Sequence, residues 1–232
     1  MKKILFLFIV SVNIIIYGLN IVTSIKPLEL ITKELAPDST ITSLFKTNSD
    51  FSKKYSITDN VDLVILLNDE IKTPENIQKV VLSEGVLFYP YNENPFLWTD
   101  PLYSVVIAYK IEKKLEKIDP ENAMNYRNNL LEMTQKLISM SDNFAKIVDK
   151  KQLKVIDLNG LLIHFYKRYK IQYETPKEDY IITASDTLVT NVDYHNLNLK
   201  ALPNLKIKID VFATNYSTLI DFYESIFKEF EK

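Results

Sequence analysis

The sequence has 232 residues, of which 47% are hydrophobic and 25% charged, and its formal net charge is −2. This composition supports a globular chain with a sizeable core, and it shows neither the basic surplus of a nucleic-acid-binding protein nor a disordered acidic tract. Cysteine is absent, which excludes disulfides, thiolate metal sites, cysteine nucleophiles and a lipid attached to an N-terminal cysteine.

Residues 1–19 are predicted to be a signal peptide. Lys2 and Lys3 form a basic start, and the apolar run over residues 4–17 is shorter than the roughly 20 residues that span a bilayer. Cleavage near residues 18–20 is therefore favoured over an uncleaved anchor. Export without a lipid anchor predicts a periplasmic protein, with secretion into the medium as the alternative.

Residues 20–118 are predicted to form a first lobe in which strands and helices alternate. Alternating or continuous apolar runs predict strands at residues 20–25, 61–67 and 80–89. Helical spacing of apolar residues predicts a helix at 27–35, and the polar stretch 38–60 is taken as a connection. Continuous apolar strands are typical of a parallel sheet covered on both faces, so this lobe is assigned to the α/β class.

Two helices are predicted in the middle of the chain, and each begins at an Asp-Pro pair. Asp100-Pro101 and Asp119-Pro120 each place a capping carboxylate before a proline at the first helical position. The second helix is predicted over residues 120–149, with a length on the order of 40 Å, which is more than a small lobe needs. Residues 119–150 are therefore predicted to be a rigid helix that connects two lobes.

Residues 151–232 are predicted to form a second, reduced α/β lobe. The predicted strands are 153–158, 180–184 and 205–212, and the predicted helices are 161–169 and 217–231. No internal repeat is visible. The fold class is therefore α/β, with two lobes that have central parallel sheets and are joined by one long helix.

Motifs of common enzyme classes are missing from the sequence. The three glycines are too far apart for a phosphate-binding loop or a dinucleotide fingerprint, and there is no G-x-S-x-G or H-E-x-x-H motif. Carboxylate pairs such as Asp69/Glu70 and Glu112/Glu116 are interpreted as solvated faces. No catalytic residue is nominated, and the protein is predicted not to be an enzyme.

The octapeptide NPFLWTDP at residues 94–101 is the most distinctive segment. Together with TSIKPL at 23–28, NVDLV at 60–64 and FYKRY at 165–169, it resembles the zinc and manganese cluster of ABC-importer solute-binding proteins, the TroA-like family, which has N-P-H-x-W-x-D-P at this point. Pro95, Trp98, Asp100 and Pro101 match the family's frame. The resemblance implies two lobes on a helical backbone, a solute-binding cleft between them, an ABC permease of the inner membrane as partner, and a monomer.

The same resemblance implies a zinc or manganese ion held by three histidines and one carboxylate. Phe96 stands where the motif has its histidine, no histidine lies between residues 20 and 97, and the second-lobe histidine position falls on Asn159. Asp210 corresponds to the carboxylate. Asp210 and Asn159 are therefore the candidate metal ligands of a remodelled or degenerate site, and Phe96 and Trp98 belong to the cleft motif or, alternatively, to the core.

The two histidines of the chain, His164 and His195, fall at neither ligand position. His164 is predicted to be packed or at the surface of its helix, and His195 is predicted to lie in a surface loop. Two functional hypotheses follow. The first is the solute-binding component of a metal-type ABC importer with a remodelled cleft, and the alternative is a structural or protein-interaction module on the same scaffold that has lost metal transport.

Overall fold

The computed structural model describes residues 18–45, 55, 57, 60–69, 71–84, 94, 96–151, 153–176, 181–192 and 204–232. The strands within this part of the chain are β1 (Asn20–Ile25), β2 (Thr40–Phe45), β3 (Leu63–Leu66), β4 (Gln78–Val81), β5 (Lys154–Asp157), β6 (Gln172–Glu174), β7 (Thr187–Asn191) and β8 (Lys206–Ile209). The helices are α1 (Lys26–Leu35), α2 (Pro101–Ile118), α3 (Ala123–Lys151), α4 (Ile163–Tyr169) and α5 (Leu219–Glu231).

The strands form two four-stranded parallel sheets. The first has the order β2-β1-β3-β4 and the second has the order β6-β5-β7-β8. Each sheet therefore places the first strand of its lobe between the second and the third. The two-lobe α/β prediction is confirmed, and the two lobes share a strand order that the sequence does not reveal as a repeat.

Apolar patterning explains how the first lobe forms. β3 is buried at every position, as expected for a parallel strand covered on both faces. α1 has a proline in its first turn and buries Leu28, Ile31 and Leu35 along one stripe. The main core contains these side chains and runs without a break from the first lobe through α2 and α3 to α4, β8 and α5.

The helix α3 connects the lobes, as predicted. It has 29 residues, which corresponds to roughly 44 Å, and it packs against α1 and α2 of the first lobe and against α4 and α5 of the second. A short 3-10 turn, Pro120–Asn122, precedes it. The predicted cap at Asp119 is wrong, because that carboxylate accepts hydrogen bonds from the side chains of Asn122 and Tyr126 instead of a backbone N–H.

Three predictions in the sheets need correction. The stretch 38–60 contains β2, and the strand predicted at 80–89 is β4, which starts at Gln78 and ends at Val81 before a turn at 82–84. No strand runs through residues 181–184. Thr183 instead closes a turn with Asp186, whose carboxylate accepts the Thr183 N–H at 2.7 Å, and the strand β7 follows this turn. β6 was not predicted at all.

Other predictions fall at the edges of the described residues. Residues 1–17, which contain most of the predicted signal peptide, lie outside them, as do Pro95, His195 and residues 85–89. Within the described part, no helix is long and apolar enough to cross a membrane. Glu112 departs from the predicted solvated face, because its side chain is almost fully buried between α2 and α3.

Candidate functional site between the two lobes

Three polar side chains lie at the carboxyl edge of the second sheet. Asn159 follows β5, Asn191 ends β7, and Asp210 follows β8. β7 pairs with β5 on one side and with β8 on the other, so the three side chains stand on adjacent strand ends. Neighbouring strands are about 4.8 Å apart, and ligands of parallel α/β sheets bind outside this edge. This edge is therefore the candidate binding site.

The side chain of Asn159 joins β5 to β7. Its Oδ1 accepts hydrogen bonds from the backbone N–H of Asn191 at 3.0 Å and from the hydroxyl of Thr190 at 3.1 Å. These two donors engage both lone pairs of the amide oxygen. If Asn159 bound a metal through Oδ1, as predicted, it would have to give up these hydrogen bonds to β7.

The side chain of Asp210 holds the turn after β8. Its Oδ2 accepts the hydroxyl of Thr214 at 2.7 Å and the backbone N–H of Asn215 at 3.3 Å. Ala213 adopts a left-handed φ of 52° in the same turn. The Asp210 side chain is largely buried and carries a carboxylate at the edge where the resemblance expects one.

Asn191 was not singled out by the sequence. It is only 7% exposed, and its buried Oδ1 has no hydrogen-bond partner in the described part of the chain. Its backbone N–H is the donor to Asn159, and its Cα pairs with that of Ile209, the residue before Asp210. In the sequence, Asn191 is a polar residue at the end of a short apolar run. The strand predicted nearby is 180–184, whereas β7 is Thr187–Asn191.

Asn94 begins the octapeptide and contacts the second lobe through both its side chain and its backbone. Its Nδ2 donates to the carbonyl of Gly160 at 2.8 Å, and its own carbonyl accepts from Nε2 of His164 at 3.0 Å. Its Oδ1 accepts the backbone N–H of Phe96 at 2.9 Å. Asn94 therefore fixes the start of the octapeptide against the loop after β5.

Trp98 continues this attachment from the interior. Its indole Nε1 donates to the carbonyl of Val211 at 2.7 Å, and its backbone carbonyl accepts the hydroxyl of Tyr223 at 2.6 Å. The Tyr223 hydroxyl lies 2.6 Å from that of Ser104 on α2. Burial raises the pKa of Tyr223 well above its ordinary value, so this hydroxyl keeps its proton. Trp98 is a core residue that links the lobes.

Asp100 and Pro101 start α2 as the sequence predicts. Oδ1 of Asp100 accepts the backbone N–H of Leu102 at 2.9 Å, and Pro101 is the first residue of the helix. Oδ2 of the same carboxylate lies 3.0 Å from Nε of Arg168 on α4. The carboxylate of Asp100 therefore caps α2 and also forms an ion pair with the second lobe.

Phe96 is half-buried and packs against two other aromatic rings. Its ring lies edge-on to that of Trp98, with centroids 5.4 Å apart, and edge-on to that of Phe212, with centroids 5.8 Å apart. A phenyl ring offers no atom that can coordinate a metal. The position at which the resemblance expects an imidazole therefore contributes an apolar ring next to Phe212.

His164 is packed, in agreement with one of the two sequence interpretations. It is almost fully buried, and its ring lies edge-on to that of Tyr103 with centroids 5.3 Å apart. Burial lowers the pKa of His164, against the opposing effects of the Asn94 carbonyl and Asp100, which favours a neutral ring. Its Nε2 donates a hydrogen bond to the backbone carbonyl of Asn94, so this histidine has a structural role where the octapeptide contacts the second lobe.

The donor set at the edge differs from the one that the resemblance implies. The described residues contain no group of three or more His, Cys, Asp or Glu side chains that could hold a metal ion. One carboxylate and two carboxamides stand at the three strand ends, and zinc prefers imidazole or thiolate over such oxygens. The described side chains therefore do not fit the three-histidine site, and the ligand roles of Asp210 and Asn159 stay predictions.

Comparison with known proteins identifies the family. A model of the zinc-uptake complex component A, periplasmic (ZnuA), matches residues 21–197. The manganese ABC transporter substrate-binding lipoprotein PsaA of Streptococcus pneumoniae strain TIGR4 is 30% identical over 116 residues, which are 45% of this chain and 37% of PsaA. The PsaA of Streptococcus mitis matches with the same figures. The match thus spans a little over a third of these relatives' length.

Solved structures share the fold at low sequence identity. A zinc-bound deletion mutant of ZnuA superposes with a TM-score of 0.73 at 14% identity, covering 92% of this chain and 97% of that one. The laminin-binding protein Lbp of Streptococcus pyogenes gives 0.72 at 15% identity, with 92% and 99% covered. The family match extends over most of the chain and agrees with the two parallel-sheet lobes and the long helix. The chain therefore belongs to the ZnuA family of zinc- and manganese-type ABC solute-binding proteins.

Proposed function

We propose that this protein is the periplasmic solute-binding component of an ABC importer and holds its solute between the lobes. The observation that carries the proposal is the row of Asn159, Asn191 and Asp210 on three adjacent strand ends of the second sheet. Family membership adds the class of protein, because members are substrate-binding components that work with ABC permeases. They are not enzymes.

The seam along residues 94–100 supports a solute site whose two walls are held in fixed proximity. Asn94 bonds to Gly160, Trp98 bonds to Val211, and Asp100 pairs with Arg168. All three contacts join the segment before α2 to the second lobe. These contacts close one side of the space between the lobes. The solute is then bound between the carboxyl edge of the second sheet and Phe96.

The relatives' names make zinc and manganese the first solutes to consider. Asp210 and Asn159 are the proposed ligands for a divalent ion, in a site that lacks the expected imidazoles. Oxygen donors favour harder ions such as manganese over zinc. Delivery to an inner-membrane permease, a monomeric state and export by the N-terminal segment complete the proposal.

The test is whether the purified protein binds a solute with defined stoichiometry. We expect one site per chain, seen as a saturable rise in melting temperature and as one bound equivalent in calorimetry or elemental analysis. Asp210→Asn should weaken binding, whereas the exposed Asp142→Asn on α3 should leave it unchanged. Absence of any retained ion or small molecule, both with added Zn²⁺ and Mn²⁺ and after incubation with a cell extract, would contradict the proposal.

A structural or protein-interaction module is the second candidate. It is favoured by the internal use of the two predicted ligands, since Asn159 Oδ1 bonds to β7 and Asp210 Oδ2 bonds to Thr214. Affinity capture from detergent-solubilised membranes separates the two functions. Recovery of permease and ATPase subunits alone supports import, and reproducible recovery of other proteins without those subunits supports the module.

A further inference from the structure

The side-chain carbonyl of Asn191 has an unused hydrogen-bonding capacity at the proposed binding edge. Asn191 is 7% exposed, and no backbone or side-chain donor of the described residues reaches its Oδ1. Buried polar atoms of native proteins are nearly always paired, so an orphaned acceptor at a site edge requires an explanation. A bound group that donates a hydrogen bond would supply the missing partner.

The carboxylate of Asp210 lies at the end of the strand next to the one that Asn191 ends. Asn191 and Ile209 are register partners across β7 and β8, and Asp210 is the next residue after Ile209. Thr214 and Asn215 approach Oδ2 of Asp210. Asn191 and Asp210 therefore present acceptor oxygens at neighbouring strand ends, and one of them carries a negative charge.

Two aromatic rings meet where the octapeptide reaches the end of β8. Phe212 lies two residues after Asp210, and the half-buried ring of Phe96 packs edge-on against it at 5.8 Å. Phenyl faces attract cations, and they also accept the hydrocarbon part of an organic ligand. Hydrogen-bond acceptors, one negative charge and aromatic rings together favour an organic cation over a neutral sugar or an anion.

A bare divalent ion matches this edge less well. Asn159 Oδ1 already accepts two hydrogen bonds, which leaves Asn191 Oδ1 and Asp210 as the oxygen donors of the three candidate side chains. Calcium takes about six to eight oxygen ligands, and zinc prefers imidazole or thiolate. A protonated primary amine has three N–H donors and one charge, which a carboxylate, an amide oxygen and a phenyl face can together engage.

We propose that the solute class of this cleft is a small molecule with a protonated primary amine, whose N–H groups donate to Asn191 Oδ1 and Asp210 and whose hydrocarbon part contacts Phe96. This inference rests on the proposed solute-binding function. It replaces the ion implied by the family with an organic cation, because the imidazole ligands are replaced by Phe96 and Asn159.

Calorimetry and thermal-shift measurements on the purified full chain test the solute class. The probes are butylamine and 1,4-diaminobutane, with n-butanol as the neutral match and Zn²⁺, Mn²⁺ and Ca²⁺ as the metal arm. We expect saturable 1:1 binding of at least one amine and none of n-butanol. Mass spectrometry of the molecule retained from a cell extract should find a basic nitrogen.

Variants connect that binding to the named acceptors. Asn191→Leu and Asp210→Asn should each weaken amine binding at least tenfold, whereas Asn125→Leu on the exposed face of α3 should not change it. Circular dichroism melting keeps folding separate from binding. If a metal ion binds and no amine does, the amine inference is overturned while the solute-binding function stands. If nothing is retained from any arm or from the extract, both fail.

Discussion

Segment 94–101 and the carboxyl edge of the second sheet meet at the contact between Phe96 and Phe212, yet they differ in how their polar atoms are used. In the segment, the indole N–H and carbonyl of Trp98 and both carboxylate oxygens of Asp100 are bonded to partners, most of them in the second lobe. At the edge, Oδ1 of Asn191 has no hydrogen-bond partner within the described residues.

This difference separates structural from functional use of polar groups within one site. A buried and fully paired group stabilises the folded chain, because removing it leaves its partners without hydrogen bonds. An unpaired buried group lowers stability and is retained where a ligand completes it. The residues that match the family motif belong to the first kind, and Asn191 belongs to the second.

Trp98→Ala should produce the largest loss of stability. The side chain is 1% exposed, and its removal leaves a cavity between the lobes and an unpaired Val211 carbonyl. We expect the free energy of unfolding to fall by about 3–5 kcal/mol, measured by urea denaturation. The exposed Leu131→Ala on α3 is the control and should change it by less than about 0.5 kcal/mol. Similar losses in both variants would break the comparison.

Asp100→Ala should produce the next largest loss of stability, because the carboxylate caps α2 and pairs with Arg168. Loss of both contacts should cost about 3 kcal/mol of unfolding free energy, since hydrogen bonds to charged groups contribute about 1.5–3 kcal/mol and a cap about 1 kcal/mol. Asp100→Asn keeps an oxygen for the cap but loses the ion pair, and it should cost about 2 kcal/mol. Equal losses in the two variants would show that the cap contributes nothing.

The architecture could be predicted where a local pattern decides the structure. β3 lies within a continuous apolar run, and Asp100-Pro101 starts α2 through contacts within three residues. The same dipeptide at 119–120 misled the prediction, because side chains of Asn122 and Tyr126 take the carboxylate of Asp119. Competition between partners for one carboxylate is not encoded in the dipeptide.

Non-local contacts explain the errors in the second lobe and its site. Asn204 donates to the carbonyls of Thr183 and Asp186 and holds the turn that replaces the strand predicted there. Asp210 and Asn159 were identified only through the family resemblance. Asn191 gains its place from pairing with β5 and β8, and no sequence spacing contains that information.

Glu112→Gln tests a buried acid far from the edge. The side chain is 1% exposed, and neither oxygen receives a well-oriented hydrogen bond, although Nζ of Lys113 lies 3.2 Å from Oε2. Burial and, after it, the neighbouring Glu116 raise the pKa of Glu112 above its ordinary value of 4.5. Between pH 4.5 and the raised pKa, the native state therefore holds a proton that the unfolded chain has released. The free energy of unfolding falls as the pH rises through this range.

The Gln variant removes this pH dependence. We expect it to be more stable than the natural protein by about 1 kcal/mol at pH 8, with a smaller difference at pH 4, in urea denaturation at each pH. The exposed Glu132→Gln on α3 is the matched control and should shift stability by less than about 0.5 kcal/mol. A variant that is less stable than the natural protein at pH 8 would mean that the ion pair with Lys113 outweighs burial.

Asn191→Leu should have the smallest effect on stability, although the residue is as buried as many core side chains. Leucine has the same branched shape, although it is larger, and it removes an acceptor that has no partner among the described residues, while the backbone N–H of residue 191 keeps its bond to Asn159. We expect the free energy of unfolding to change by less than about 0.5 kcal/mol or to rise. A loss above about 1 kcal/mol would show that the carbonyl is paired in solution, and the difference between the seam and the binding edge would then disappear.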